Sequence, residues 1–199
     1  IDDKDKKVFS GGIAPVYGGL FTRLNYKGFD LSISGHYSIG KKIYAFYKKD
    51  ALNGGAVGAP SYSNNMYKEM LSYWTPENTS TMIPRPHMAA EISAWNTEHS
   101  SRFLENADYL RISDITLGYD LKSIKALKFG FINSLRVYVQ ARNWFTFTKY
   151  STGDPETSYV DQSAENSQDK SDGMKVQAGV DLGGIPNTKS FVVGLNISF

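Results

Sequence analysis

Six aromatic side chains, Tyr62, Tyr67, Tyr73, Trp74, Trp95 and Tyr150, fall outside every stretch of the sequence that carries a regular strand pattern. Exposed rings stack on sugars or seat a protein partner, and rings in long loops also anchor the loop's own fold. These residues suit a binding task. No comparable set suits catalysis. The chain has no cysteine, which removes disulfides and thiolate metal sites. His36, His87 and His99 lie too far apart for ligand spacing. No Gly-rich phosphate loop, nucleophile elbow or zincin motif occurs. Asp154 and Glu156 share a loop and read as solvated charges. Asp2, Asp3 and Asp5 lack the spaced ligands and closing Glu of a calcium loop, and read as an acidic turn. Asn78-Thr79-Ser80 matches a glycosylation sequon, a pattern frequent by chance. No metal, cofactor or catalytic residue is expected, and no enzyme activity.

The elements that must position these aromatics follow from composition and period. The chain has 199 residues, 41% hydrophobic and 14% aromatic, with a formal charge of +2. That balance gives no electrostatic footprint for nucleic acid. No apolar run reaches the ~18 residues of a transmembrane helix. The opening, Ile1-Asp2-Asp3-Lys4-Asp5, has neither an initiator Met nor an apolar signal region. It points either to a cytoplasmic protein or to an internal piece of a longer chain. Barrel strands remain open as a membrane solution, because they need only ~9–11 residues with alternating faces.

Period two is clear. Phe29, Leu31, Ile33, Gly35, Tyr37 and Ile39 share one face, with Asp30, Ser32, Ser34, His36 and Ser38 on the other. Before them, Leu20, Thr22, Leu24 and Tyr26 oppose Arg23, Asn25 and Lys27. A two-residue Lys27-Gly28 turn sets Tyr26 against Phe29 and Leu24 against Leu31, so the apolar faces coincide. Leu135, Val137, Val139, Ala141, Phe145 and Phe147 alternate with Arg136, Tyr138, Gln140, Arg142 and Thr146. Phe191, Val193, Leu195, Ile197 and Phe199 form a last apolar face. Strands are expected over about residues 18–27, 29–40, 107–121, 134–147 and 189–199.

The stretch from Tyr109 to Leu121 changes parity. Leu110 and Ile112 are even; Ile115, Leu117 and Tyr119 are odd. Without a phase shift Arg111 would share the apolar face. A β-bulge between Ile112 and Ile115, near Ser113-Asp114, removes that conflict. Connections are unequal. Lys27-Gly28 is short and Lys122 to Asn133 modest, whereas Lys41 to Glu105 and Thr148 to Thr188 are long. Short and long links fall at opposite ends of the strands, as in barrels with short periplasmic turns and long outside loops. Phe199 is then the barrel-terminal, periplasmic residue, with Tyr26, Phe29 and Tyr119 in the same aromatic girdle. The first long loop is expected to hold a helix capped by Asn64 or Asn65, with Met66, Met70 and Trp74 on one stripe and Pro76 ending it. That stripe reads first as packing for the loop itself. The second long loop, Ser151 to Gly184, reads as polar and open or ordered by a partner.

Several stretches resemble a known family. They are Tyr26-Lys27-Gly28-Phe29-Asp30-Leu31-Ser32, Tyr73-Trp74-Thr75-Pro76-Glu77-Asn78, Ile83-Pro84-Arg85, Ser101-Arg102-Phe103-Leu104-Glu105, Tyr109-Leu110-Arg111 and Ile115-Thr116-Leu117-Gly118-Tyr119. Leu135-Arg136-Val137-Tyr138-Val139-Gln140, Asn143, Thr148-Lys149-Tyr150, Gly153-Asp154-Pro155-Glu156 and the final Phe199 follow in the same order. The sequence resembles the C-terminal part of SusC/RagA-type TonB-dependent transporters of Bacteroidetes. The resemblance implies an all-β chain: the C-terminal strands of a transmembrane barrel of about 22 strands with a plugged lumen. The plug and the TonB-contacting segment lie upstream of these residues. It implies outer-membrane lipid, the remaining barrel strands, TonB and a lidding SusD-like lipoprotein as partners, and oligosaccharides or peptides as cargo. Tyr73, Trp74, Trp95 and Tyr150 become candidate contacts to lid or substrate. The competing reading is a soluble β-sandwich carbohydrate-binding module, whose turns would recur every ~8–12 residues.

Overall fold

A computed structural model of the chain describes residues 3–52, 66–86, 98–124, 130–157, 159–161 and 175–199. The strands are β1 (Val16–Tyr26), β2 (Phe29–Ile39), β3 (Lys42–Ala45), β4 (Leu104–Asn106), β5 (Tyr109–Asp120), β6 (Ser134–Thr148), β7 (Tyr159–Asp161), β8 (Lys175–Gln177), β9 (Val180–Asp181) and β10 (Ser190–Ser198). A short helix, α1, covers Phe46–Ala51. Among the described residues no helix is long and apolar enough to cross a membrane. The chain divides into two compact units. One comprises Ala14–Lys41, Ala107–Lys149 and Pro186–Phe199, the other Ile1–Ile13, Lys42–Asn106 and Tyr150–Ile185.

The first unit is a five-stranded antiparallel sheet in the order β1-β2-β5-β6-β10. Its registers align the apolar sets of all five strands. Leu24, Leu31, Leu117, Val139 and Val193 stand in one cross-strand row, and Tyr26, Phe29, Tyr119, Val137 and Leu195 in the next. Such rows are the unit of sheet stabilisation, and their common phase fixes the register. Among the described residues of the unit no second layer covers this face: Leu24 is 61% exposed and Val193 78%. At the β1–β2 turn Lys27 has φ 47° and Gly28 φ 88°, the two positive angles of a type I′ hairpin. Gly28 has a second constraint, since a Cβ there would meet the Ser123 side chain.

Ser113 is the extra residue that the parity change requires. Ser34 pairs Asp114 while Gly35 pairs Ile112, so β5 bulges against β2. The bulge is held by Ser113 Oγ, 3.2 Å from the Ser34 carbonyl and 3.3 Å from Ser34 Oγ. Arg111 is thereby turned off the apolar face and buried, its Nε donating to Thr146 Oγ1 at 3.1 Å. A second irregularity sits opposite, in a strand that the sequence reads as unbroken. Asn143 and Trp144 face Ser113 alone, and Asn143 takes φ 55°. Trp144 turns onto Phe191 of β10, with ring centroids 4.4 Å apart, and its Nε1 donates to the Ser190 carbonyl at 3.2 Å.

The second unit is built where the sequence reads as connection. β3 is the centre of a small sheet, antiparallel to β4 and parallel to β9. Its core is Phe103, Met70 and Leu52, with Tyr44, Tyr67 and Ile83 packed against them. The expected helix around Met66–Trp74 is instead a short 3-10 turn, Lys68–Ser72, with Tyr67 at its N-terminal boundary and no side-chain cap. Met70 N donates to the Tyr67 carbonyl at 2.9 Å, and by Tyr73 the backbone is already extended. Of the expected Met66–Met70–Trp74 stripe only Met70 is buried. Asn64 and Asn65 lie outside the described residues. The second long connection is not simply open either. Its described residues form β7, β8 and β9 and bury Asp154, Pro155 and Asp181.

Candidate functional site

The turn Tyr73-Trp74-Thr75-Pro76-Glu77-Asn78 is shaped by Asn78. Its Nδ2 donates to the carbonyls of Ser72 and Tyr73, both at 3.1 Å. Its backbone N–H donates to the Thr75 carbonyl at 3.0 Å and to Thr75 Oγ1 at 3.1 Å. Thr75 N donates back to the Asn78 carbonyl, and Trp74 N to the Ile83 carbonyl at 2.9 Å. Both amide hydrogens of Asn78 are thus used inside the fold, which gives the sequon a structural reason. With the turn pinned, Tyr73 and Trp74 are held side by side at 37% and 42% exposure. Tyr73 also borders an open groove of about 530 Å³ with Met66, Tyr67, Met70, Leu71 and Pro86, with Lys68 beside them. Met66, placed by the sequence on a packing stripe, is exposed instead, and Leu71 and Met82 are exposed apolar neighbours in sequence that the aromatic pattern does not mark. Their signal is an apolar residue in a connection, outside any period.

The other two candidate residues are placed differently. Trp95 lies outside the described residues, as do Tyr62 and His87. Tyr150 is buried, and its hydroxyl donates to Asp181 Oδ2 at 2.6 Å. Burial first, then the hydrogen bond to Asp181, raises its pKa far above the usual phenol range. The ring is therefore a packing and anchoring group. Asp154, expected to be solvated, is buried and accepts the Glu156 N–H at 3.0 Å. The proline that follows it fixes the turn in the core and leaves the carboxylate to cap it. Phe199 follows the end of β10 and is exposed.

The sheet presents a second set of polar groups on the face opposite its apolar rows. Arg136 Nε donates to Asp30 Oδ1 at 2.7 Å, with a second bond from Nη2 to Oδ2. These residues belong to β6 and β2, so the pair reaches across β5. It crosses at Gly118, where any Cβ would lie about 2.4 Å from both partners. Gly194 plays the same part under the Tyr138 ring. Further up, Gln140 Nε2 donates to Asp114, and Thr116 Oγ1 donates to Asp114 Oδ1 at 2.7 Å. His36 meets the Tyr109 ring edge-on at 5.6 Å. Among the described residues no group of three or more His, Asp or Glu side chains could hold a metal ion.

An antiparallel sheet with aligned, uncovered apolar rows on one face and ion pairs on the other has the build of a β-barrel wall. Comparison with known proteins gives the same class. The chain is 28% identical over 199 residues to the TonB-dependent receptor P3 of Formosa agariphila, covering 100% of this chain and 18% of that protein. It is 28% identical over 200 residues to the TonB-dependent receptor SusC of Bacteroides thetaiotaomicron, covering 100% of this chain and 16% of that protein. Among solved structures, the RagAB peptide importer in the "closed-closed" state matches with a TM-score of 0.70 and 26% identity, over 97% of this chain and 18% of that one. The "open-open" state matches with a TM-score of 0.65 and 27% identity, over 94% of this chain and 17% of that one. No family model matches. The chain is similar to TonB-dependent receptors, SusC among them, and to the RagAB importer, and it spans 16–18% of the length of the curated relatives it matches. These relatives are named as receptors and importers, none as an enzyme.

Proposed function

We propose that residues 1–199 are the C-terminal part of the β-barrel of an outer-membrane TonB-dependent transporter. It imports oligosaccharides or peptides together with a SusD-like surface lipoprotein and draws its energy from TonB through parts of the protein outside this sequence. The carrying observation is the uncovered apolar face shared in register by β1, β2, β5, β6 and β10. Lipid is the covering that this face fits, and the Asp30–Arg136 face then looks into the lumen. The outer edges of β1 and β10 carry backbone groups that hydrocarbon cannot satisfy, so strands outside this sequence close the barrel on both sides. A soluble sandwich would instead bury the apolar rows beneath a second sheet. The Tyr73-Trp74 turn and its groove are the surface offered to lid or substrate.

The test uses the full-length receptor in its membrane. Val139→Cys should react with a lipid-soluble maleimide and Gln140→Cys with a water-soluble one; the reverse pattern would overturn the lipid-facing assignment. Trp74→Ala should leave the barrel folded and heat-modifiable while lowering uptake. Unchanged growth on the cognate nutrient would remove Trp74 from the contact surface.

A further inference from the structure

The two long connections meet at one carboxylate. Glu105 Oε1 accepts from Lys48 Nζ at 2.8 Å. Glu105 Oε2 accepts from the Ser151 N–H at 3.0 Å, and Ser151 Oγ lies 2.8 Å from both carboxylate oxygens. Lys48 Nζ also donates to Ser151 Oγ at 2.9 Å, which closes a three-membered knot. Lys48 lies on α1, Glu105 on β4, and Ser151 just after β6. A second tie runs from Tyr150 to the turn after β9: Tyr150 donates to Asp181, whose Oδ1 also accepts from Gly183 N at 2.8 Å and Gly184 N at 3.2 Å. The main chain joins the two segments as well, through the β3–β9 pairing of Tyr44 with Val180 and Ala45 with Asp181, beside which Tyr44 N donates to the Gly179 carbonyl at 2.7 Å.

We propose that Glu105 is a latch that makes the 42–106 and 150–185 segments a single body, and that removing its charge lets the second segment move apart from the first. Charge-assisted hydrogen bonds are the strong ones, and this carboxylate collects several from two segments far apart in sequence. The other charged and titratable groups around it are Glu69, whose Oε2 lies 3.9 Å from Lys48 Nζ, Asp181, and the phenols of Tyr67 and Tyr150. Lys48 is the cation that binds Glu105 among these acids. Burial works to raise the pKa of Glu105, but the bonds from Lys48 and Ser151 outweigh it and hold the carboxyl below its usual range. A depressed carboxyl contributes stability above its unfolded pKa and loses it as pH falls through the folded one. The latch therefore holds through neutral and mildly acidic conditions and yields only below the ordinary Glu value of about 4.3.

The experiment is hydrogen exchange on the full-length receptor in detergent, followed against pH, with β1–β2 peptides as the control for folding. In the parent protein, peptides covering 150–157 should stay protected until the pH falls below the usual Glu range. Glu105→Gln should raise their exchange about tenfold at neutral pH, leaving β1–β2 unchanged. Lys48→Met, which keeps the carboxyl, should move the loss of protection to higher pH. Unchanged protection in Glu105→Gln, or an unmoved pH midpoint in Lys48→Met, would overturn the latch. Exchange is read without cargo, so a receptor that imports nothing yet shows these shifts would refute only the transport reading.

Discussion

The sheet and the loop unit solve the same folding problem in opposite ways. In the sheet, order is repetitive. Each strand adds the same alternation, the backbone ladder fixes the register, and the large apolar side chains face outward. In the loop unit, order is singular. Phe103, Met70 and Leu52 make an inward core, and individual polar groups such as Glu105, Asp181 and Asn78 each gather a set of bonds that recurs nowhere else among the unit's described residues. On the proposed reading the first arrangement meets lipid and the second meets water. The contrast predicts that single core truncations will harm the loop unit most, and single charges the sheet.

The largest effect should follow Phe103→Ala. Phe103 is 1% exposed and centres the loop core, so its truncation should cost about 3–5 kcal/mol, as for other buried aromatics. Proteolysis within 42–106 should accelerate sharply while the barrel strands stay resistant. If the strands also became sensitive, the two regions would not be independent in stability, and the comparison would fail.

Next comes Val139→Arg against Gln140→Arg. These neighbours on β6 differ only in face. A cation at the lipid midplane costs roughly 2–4 kcal/mol, and a lumen position tolerates it. Barrel yield, or the midpoint of denaturant unfolding in detergent, should fall for Val139→Arg and change little for Gln140→Arg. Equal effects at both positions would show that the outward face meets water or protein.

The same contrast explains what could be read from the residues. The sheet was legible because period two is a local pattern with a global consequence. Tyr26 against Phe29 and Leu24 against Leu31 can be aligned on paper, and the parity change at Arg111 demands the Ser113 bulge. The second bulge, at Asn143-Trp144, was not legible, because Phe145 and Phe147 resume the parity of Val139 and no conflict is visible. In the loop unit no period exists. β3 pairs with β4 and β9 across dozens of residues, and nothing in Lys42–Ala45 announces those partners. Tyr73 and Trp74 could be named from their type alone. The burial of Tyr150 could not, since it depends on Asp181, thirty-one residues further on.

The smallest effect is also the most local. Asn78→Ala removes the two bonds that hold the Ser72 and Tyr73 carbonyls, at a site where water can take their place. A hydrogen bond replaced in this way is worth about 0.5–1.5 kcal/mol, too little to unfold the loop unit. What it sets is the shape of the turn. The backbone bond from Trp74 to Ile83 and the Thr75–Asn78 pairing would remain, but the carbonyls behind the two rings would be free to turn. For the two bonds together the loss is about 1–3 kcal/mol at most, so global stability should fall modestly while the rings lose their fixed orientation. Trp74 fluorescence anisotropy in the full-length protein measures this directly once Trp95, Trp144 and every tryptophan outside these 199 residues are replaced by Phe. The expected result is faster local depolarisation in Asn78→Ala with only a small fall in the unfolding midpoint. The parallel change in the sheet is Ser134→Ala, which removes a 2.9 Å contact to Ser198 Oγ. It should alter neither quantity, because the β6–β10 ladder already fixes both strands. If Asn78→Ala were equally silent, the turn would be held by its backbone alone, and the loop unit would share the redundancy of the sheet.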